Sequence, residues 1–527
     1  MNKANFKEAN MDFKVNREII TAAECVYEGM QEQGVELDYI LPDYYPDIFR
    51  LVRCEVNPVV TDYAVSGDRL TYELRCDIRV LYCSEGGGAV QCVTQRQNFN
   101  RTAELGRSCE KPVVTLCAKT DHVNCRAVNK RRLDVRGAVS VKIKVEGEKA
   151  QEVISDAFGL NVQLRKMPVR YAAKKLTANK TLQLSEETEL LSVQPPVIGI
   201  VSCRCHASEC EKKMISGKLL AKGEVDVKLL YSCEKDVEGA LEPLEFSVPY
   251  SQIIDMDGID DSFGCNITAE VISCDAVPAA DKNGENRTVR CELELRLRCC
   301  AVKAASVMLG TDAYSTVYPC EVTTADIMAE QIPVICTESF RHTAKIAEGD
   351  NVPQTVYSMW CEPKNINTRS SDDGRSIIIS GMLSYTMAAK DTSGMLIMPG
   401  KDEAFEETVM LGEDTAGAYV TADIAVTGVS YNISSEGVLT AKAELSARIL
   451  VYGAASVRAV TDITIDDSVK KERDGDYAIK LYYGVENEEI WDIAKRYSTS
   501  VDAIMEENEL EGDRLENCGM LLIPIVS

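Results

Sequence analysis

Three long runs in this chain alternate apolar and polar residues, and each returns about 150 positions after the one before it. The run 133–145 sets Leu133, Val135, Val139, Val141, Ile143 and Val145 at alternate or near-alternate places, 289–299 does the same from Val289 to Cys299, and 439–451 follows from Leu439 to Val451. Successive strand residues point to opposite faces, so this pattern fits a sheet with one dry and one wet face, and not a helix. A second run, 70–82, also alternates and closes on Leu81, Tyr82 and Cys83; 215–233 echoes it and closes on Leu230, Tyr231, Ser232 and Cys233, with a weaker echo at 376–387. Self-similarity at a fixed period marks repeated units. The expected fold is mainly β, with three tandem β-rich repeat domains at 1–165, 166–315 and 316–470, each built of two related half-sheets, then a small α+β module of βααβ order at 474–527. Turn signals stand at Gly67-Asp68 and at 86–88, and a charged linker at 466–476. The segment 15–39 is ambiguous: Ile19, Ile20 and Ala23 fit a helix, whereas Val35, Leu37 and Tyr39 alternate.

The tail carries the second pattern. Ile479, Leu481 and Tyr483 share one face of a strand. Ile490, Ile493, Ala494 and Tyr497 then recur at helical spacing, as do Val501, Ile504 and Met505 after the polar break 498–500, and a short apolar strand closes on Pro524. A unit of this size needs most of its apolar residues for its own core.

At 527 residues the chain is long enough for three or four domains. Its 83 acidic against 58 basic residues, a formal charge of -25, exclude nucleic acid as the main partner, because phosphate binding needs clustered Lys and Arg. The same charge favours a basic partner. Without an apolar run of bilayer length or a hydrophobic signal core near Met1, a cytosolic chain without a transmembrane segment is expected. The 21 cysteines, an odd number at irregular spacing and many inside apolar strands, read as reduced and buried thiols and not as a disulfide framework.

Little in the sequence points to catalysis. His122, His206 and His342 are the only histidines, none in a triad context, and no nucleophile elbow or phosphate loop is present. Acidic pairs suited to glycoside cleavage are too numerous to single one out. Cys203, Cys205, His206 and Cys210 place four zinc-type ligands within eight residues, but in a strand His206 would point away from the two cysteines before it; buried thiols are the plainer reading. Trp360 reads as core. No catalytic residue and no cofactor are expected.

With Ile490-Trp491-Asp492-Ile493-Ala494, Asn508 and the ending Leu522-Ile523-Pro524, the tail resembles the LysM module, which binds N-acetylglucosamine polymers such as peptidoglycan. The resemblance implies a shallow groove between Asn487, Glu488, Glu489, Ile490 and Trp491 on one side and Asn508, Glu509 and Leu510 on the other, with Trp491 either packed beneath it or in direct contact with the occupant. Asn487-Glu488-Glu489 stands where LysM usually carries Gly-Asp-Thr, and Cys518-Gly519 where it carries Pro-Gly. Two carboxylates at the lip suit a basic protein surface better than a neutral sugar, so protein and glycan both stay open as occupants.

The motif Leu41-Pro-Asp-Tyr-Tyr-Pro-Asp-Ile48, followed by the strand ending at Tyr82, resembles the SPOCS domain of clostridial and bacillar spore-coat assembly proteins, which often carry several such domains and then a LysM. The first copy is the closest; the second has Pro195-Pro196 in place of the motif, and the third shares the layout. This resemblance implies a non-enzymatic morphogenetic scaffold in the mother-cell cytoplasm at the forespore surface. Its partners would be the ATPase of the coat's basement layer or other coat proteins, with self-association also open. The rival readings are a peptidoglycan-binding protein and a LysM-targeted wall hydrolase. Threefold repetition counts against the hydrolase, since a catalytic domain should be unlike the others.

Overall fold

The computed structural model describes residues 13–84, 90–208, 211–215, 217–233, 240–371, 375–392, 394–411, 418–472 and 478–525. One strand plan is used three times. The first block holds β1 (Lys14–Ile40), β2 (Ile48–Ser66), β3 (Arg69–Ser84), β4 (Gln91–Glu104), β5 (Val113–Asn129) and β6 (Arg132–Phe158). In the second are β7 (Val162–Glu189), β8 (Val197–Ala207), β9 (Glu211–Ile215), β10 (Lys218–Cys233), β11 (Ala240–Asp255), β12 (Phe263–Ala279) and β13 (Thr288–Ser315). The third runs through β14 (Cys320–Glu330), β15 (Val334–Glu348), β16 (Thr355–Ser370), β17 (Ser376–Lys390), β18 (Leu396–Ile397), β19 (Gly400–Met410), β20 (Tyr419–Ile433), β21 (Val438–Tyr452) and β22 (Ala454–Ile465).

In each block the last long strand is the centre of one antiparallel sheet: β1-β6-β5, β7-β13-β12 and β15-β21-β20. The intervening strands make a second sheet: β2-β3-β4, β8-β10-β11 and β16-β17-β19. The two sheets of a block close over one core. In the first it is built from Leu70, Leu74 and Ile78 against Leu133, Val141 and Ile143, the alternating residues of the two runs. The second and third blocks repeat this with Leu219, Val227 and Leu293, and with Ile377, Leu383 and Leu445.

The motif at 41–48 has a structural role. Arg131 donates to the carbonyls of Leu41 (3.1 Å), Pro42 (2.8 Å) and Tyr45 (3.1 Å) and pairs with Asp47 at 2.8 Å, while Tyr82 Oη donates to Pro46 O at 2.9 Å. The second block repeats the arrangement: Arg287 donates to Leu191 O and Gln194 O, and Tyr231 Oη to Pro195 O at 3.2 Å. The arginine fork gathers carbonyls of a turn that lies outside the strand ladders, two of which, Pro42 O and Leu191 O, also accept the turn's own N–H from Tyr45 and Gln194.

The helix that Ile19, Ile20 and Ala23 suggest does not form; they belong to β1, which runs unbroken into Val35 and Leu37. Tertiary pairing overrides local periodicity here, because 14–25 is zipped against β6 and Ile20 is fully buried. One extra residue, Val26, then shifts the register between Cys25 and Tyr27. Ala173 does the same in β7, and in the third block the break is complete: Pro333 separates β14 from β15, opposite Gly453 between β21 and β22. A bulge bends a strand, and a proline ends its pairing. Each block therefore extends a two-stranded ribbon beyond its sandwich. The ribbons from all three blocks bury Ile20, Val153, Val169, Leu309, Ile327 and Ala459 against one another, forming a shared hub.

A second junction joins the other sheets, with Leu81, Val201, Leu230, Trp360 and Ala388 in one cluster. Trp360 is core there, with the Arg204 guanidinium 3.5 Å from its ring centroid. Each block touches both others, as Arg296 to Val60 O (3.1 Å), Lys175 to Glu330 (3.2 Å) and Arg17 to Asp462 (2.9 Å) illustrate. The turn at Gly67-Asp68 joins β2 to β3, whereas the glycines at 86–88 lie outside the described residues.

Candidate functional site

The tail folds as β23 (Ile479–Gly484), α1 (Ile490–Tyr497), α2 (Val501–Glu507) and β24 (Gly519–Pro524), with β23 and β24 antiparallel. The polar break at 498–500 is a helix junction. Ser498 adopts the left-handed conformation (φ 53) that ends α1, and Ser500 caps α2 by accepting from Ala503 N at 3.2 Å. Ile490, Ile493, Ala494, Ile504, Leu515, Leu521 and Ile523 fill the core, as the helical spacing predicts.

The face formed by Ile479, Leu481 and Tyr483 is not core. These residues are 46%, 63% and 66% exposed, and Met520, opposite Tyr483 on β24, is 67% exposed. Gly484 faces inward instead, where a Cβ would fall 2.3 Å from Leu515 Cδ1. The module thus packs both helices on one side of a two-stranded sheet and leaves an apolar strip on the other.

The groove residues are engaged within the chain. Asn508 is structural: its Nδ2 donates to Ile504 O (2.8 Å) and Leu522 O (2.7 Å), and its Oδ1 accepts from Leu522 N (2.7 Å). Leu510 packs on the core beside Trp491, and Glu509 is exposed. Asn487 holds a positive φ of 65 and joins its N–H to Leu515 O. Glu488 accepts from Tyr482 Oη (2.7 Å) and Val485 N (3.2 Å). Glu489 pairs with Arg514 and, at 2.6 Å, with Arg165 at the start of β7. The basic surface that the acidic lip suits is, at Glu489, part of this same chain.

Trp491 seals the module to the second block. Its Nε1 donates to Asp312 at 2.8 Å, and its ring meets Tyr314 edge-on at 5.0 Å between centroids. Lys495 pairs with the same Asp312 at 2.7 Å, and the buried Tyr314 Oη donates to Thr499 O at 2.7 Å. Part of the charged linker is pinned too, with Lys471 donating to Ser315 O at 2.7 Å. Arg165, Asp312 and Tyr314 have no sequence signal of a site; they lie about 180 or more positions before their partners.

The Arg165 guanidinium holds the Glu489 carboxyl below its ordinary value, with Arg514 adding to the effect. A depressed folded-state value means that the pair stabilises docking fully above the ordinary carboxylate value near about 4.3, and that this is lost as pH falls through the lower folded value. Acid is therefore expected to loosen the module from the second block, and Glu489→Gln to remove part of that acid sensitivity. Amide exchange across 490–507 as a function of pH measures both.

The zinc-type grouping in the sequence is split by the strand geometry, as the alternation of faces predicts. Cys203 and Cys205 share a face of β8, but His206 is exposed on the other face, and Cys210 lies outside the described residues. The sulfurs beside Cys203 and Cys205 belong to Cys274 of β12 and Cys291 of β13. Among the described residues no helix is long and apolar enough to cross a membrane.

This architecture defines a β-repeat protein that carries a βααβ module of the carbohydrate-binding type docked on its hub. Two family models match: SipL, SPOCS domain, over 196–278, and LysM domain, over 485–516. Over these two segments the chain is similar to SipL-like proteins, with a SPOCS domain and a LysM domain, both binding modules without catalytic activity of their own. The SPOCS match covers β8 to β12 in the second block, not the first, although the motif at 41–48 leads the first copy to be expected as the closest. No curated protein and no solved structure matches.

Proposed function

We propose that this chain is a non-catalytic scaffold of spore-coat assembly, acting in the mother-cell cytoplasm at the forespore surface. The three blocks, expected at 1–165, 166–315 and 316–470 and folding as β1 to β6, β7 to β13 and β14 to β22, serve as three SPOCS repeats closed into one body, and the LysM at 474–527 serves as its docking head. The partner is a coat protein, in the first place the ATPase of the basement layer. One observation carries this reading: the LysM turns an apolar strip of Ile479, Leu481, Tyr483 and Met520 to solvent while Glu488, Glu489 and Asn508 of its groove bond within the chain. A contiguous exposed apolar face suits a protein partner better than a hydroxyl-rich glycan.

The test is a paired binding assay on the full chain, with the basement-layer ATPase or a sporulating-cell coat fraction in one arm and insoluble peptidoglycan in the other. Leu481→Glu with Tyr483→Glu changes only exposed positions, so folding is expected to hold within about 0.5 kcal/mol each. Coat-protein binding is expected to weaken at least about tenfold, equivalent to roughly 1.4 kcal/mol. Strong retention on peptidoglycan, unaffected by the strip variant and lost with Asn487→Ala, would replace this reading with glycan binding.

A further inference from the structure

We infer that the second repeat binds one zinc ion through Cys203, Cys205, Cys274 and Cys291. The two sheets of this block meet along their edge strands, β8 and β12, and the four thiols face each other across that seam. Cys203 Sγ lies 3.9 Å from Cys205 Sγ and 3.0 Å from Cys274 Sγ, and Cys274 Sγ lies 3.4 Å from Cys291 Sγ. The sulfurs of Cys203, Cys205 and Cys274 fall within 4.8 Å of one another, while Cys291 stands outside that group beside Cys274, so it is the fourth ligand that has to swing in. Zinc at tetrahedral angles with Zn–S bonds of about 2.3 Å spaces its sulfurs about 3.8 Å apart. The shortest of these spacings has to open by less than about 1 Å to admit the ion, which rotation of side chains at the rim of a sandwich provides.

The ligand chemistry fits a soft d10 cation. Four thiolates with no carboxylate or imidazole among them favour zinc over magnesium, calcium or manganese. Cys291 is fully buried and the other three are half-buried, so the group is enclosed but reachable from the edge. The same seam in the first repeat has only Cys54 of β2 bonded to Cys125 of β5, a pair of thiols and not a full donor set.

A metal there would also matter beyond its own repeat. Arg204, between the two β8 ligands, points the other way and covers Trp360 while bonding Glu362 of β16 at 3.3 Å. Fixing β8 from its inner face thus fixes the strand through which the second repeat grips the third.

The full chain, purified in a thiol reductant without chelator, tests this. Elemental analysis is expected to give about one zinc per chain. Replacement with cobalt should give the near-ultraviolet thiolate charge-transfer band and the intense visible bands of a tetrahedral site. Cys274→Ser is expected to abolish both, and Cys205→Ser, at a less demanding position, to reduce zinc content at least about tenfold with the circular dichroism unchanged. Cys25→Ser, at an exposed position in the first repeat, should leave the zinc content unaltered. Absence of zinc and of the cobalt bands in folded wild-type chain overturns the proposal. So does a mass lower by two hydrogens, with Cys203 and Cys274 joined in peptide mapping, because a disulfide would then hold the seam instead.

Discussion

Tyr314→Ala is expected to release the LysM from the repeat body, and to do so more completely than any change to the surface ion pairs around it. Tyr314 is buried, its ring lies against Trp491, and its hydroxyl bonds the Thr499 carbonyl at the turn between the two helices. Truncating a buried aromatic costs about 3–5 kcal/mol through lost burial and the cavity left behind. The Thr499 carbonyl also loses its donor. Tyr314→Phe keeps the packing and removes only that donor, so it should cost about 1–3 kcal/mol. Asp312→Asn keeps an acceptor for Trp491 and loses the Lys495 pair, whose lysine is 44% exposed; such a pair is worth at most about 1 kcal/mol. The ordering Ala, then Phe, then Asn should appear in the exchange of amides 490–507, in the red shift of Trp491 emission and in cleavage of the linker at 466–476. Equal behaviour of the three variants and wild type would mean that the module is held by contacts other than these.

This docking bears on how the chain works as a scaffold. A LysM on a free tether samples many orientations, whereas one sealed by Trp491, Tyr314 and Arg165 presents its apolar strip in a fixed direction. Preorganisation of that kind lowers the entropy cost of binding. It also gives the sequence departures at Glu488 and Glu489 a physical cause. Glu488 ties β23 to the head of α1, and Glu489 reaches Arg165 of another domain.

Much of the fold is legible in the residues because alternation is a local signal. Leu133 to Val145 and their counterparts near 289 and 439 carry their faces on their own side chains, and the structure uses those faces as cores. The tail's two helices are legible from spacing alone. What the spacing does not carry is the meeting of elements distant in sequence. Ile20 reads as helical in isolation because its burial comes from Leu309 and Ile327, more than 280 positions away. Trp491 reads as a groove residue because Asp312 and Tyr314 leave no trace near it. Ile479, Leu481 and Tyr483 look like core because a strand pattern shows that one face is apolar but not whether anything covers it. Cys203 and Cys205 stand out by their i, i+2 spacing, whereas Cys274 and Cys291 come from the opposite sheet, and the nearby His206 and Cys210 draw attention from them.

The hub makes the second large prediction. Leu309 is fully buried where the ribbons of all three blocks converge, beside Ile20 and Val153 of the first and Ile327 and Ala459 of the third. Leu309→Ala is expected to cost about 2–5 kcal/mol. Leu74→Ala, in the core of the first sandwich alone, removes the same atoms from an equally dry place. The two variants should nonetheless differ in kind. Loss at Leu309 weakens an interface to which every block contributes, so it should divide one unfolding transition into several, with the calorimetric enthalpy exceeding the van't Hoff value. Loss at Leu74 should lower the stability of the first block while its neighbours stay coupled through the hub. Leu309→Asp sharpens the contrast, because an unpaired carboxylate among the eight other buried side chains of the hub has no partner to offset its desolvation. If the wild-type chain already melts in separate steps and Leu309→Ala moves only the step belonging to the second block, the three repeats are independent beads, and a hub shared by their ribbons is the wrong description of how they hold together.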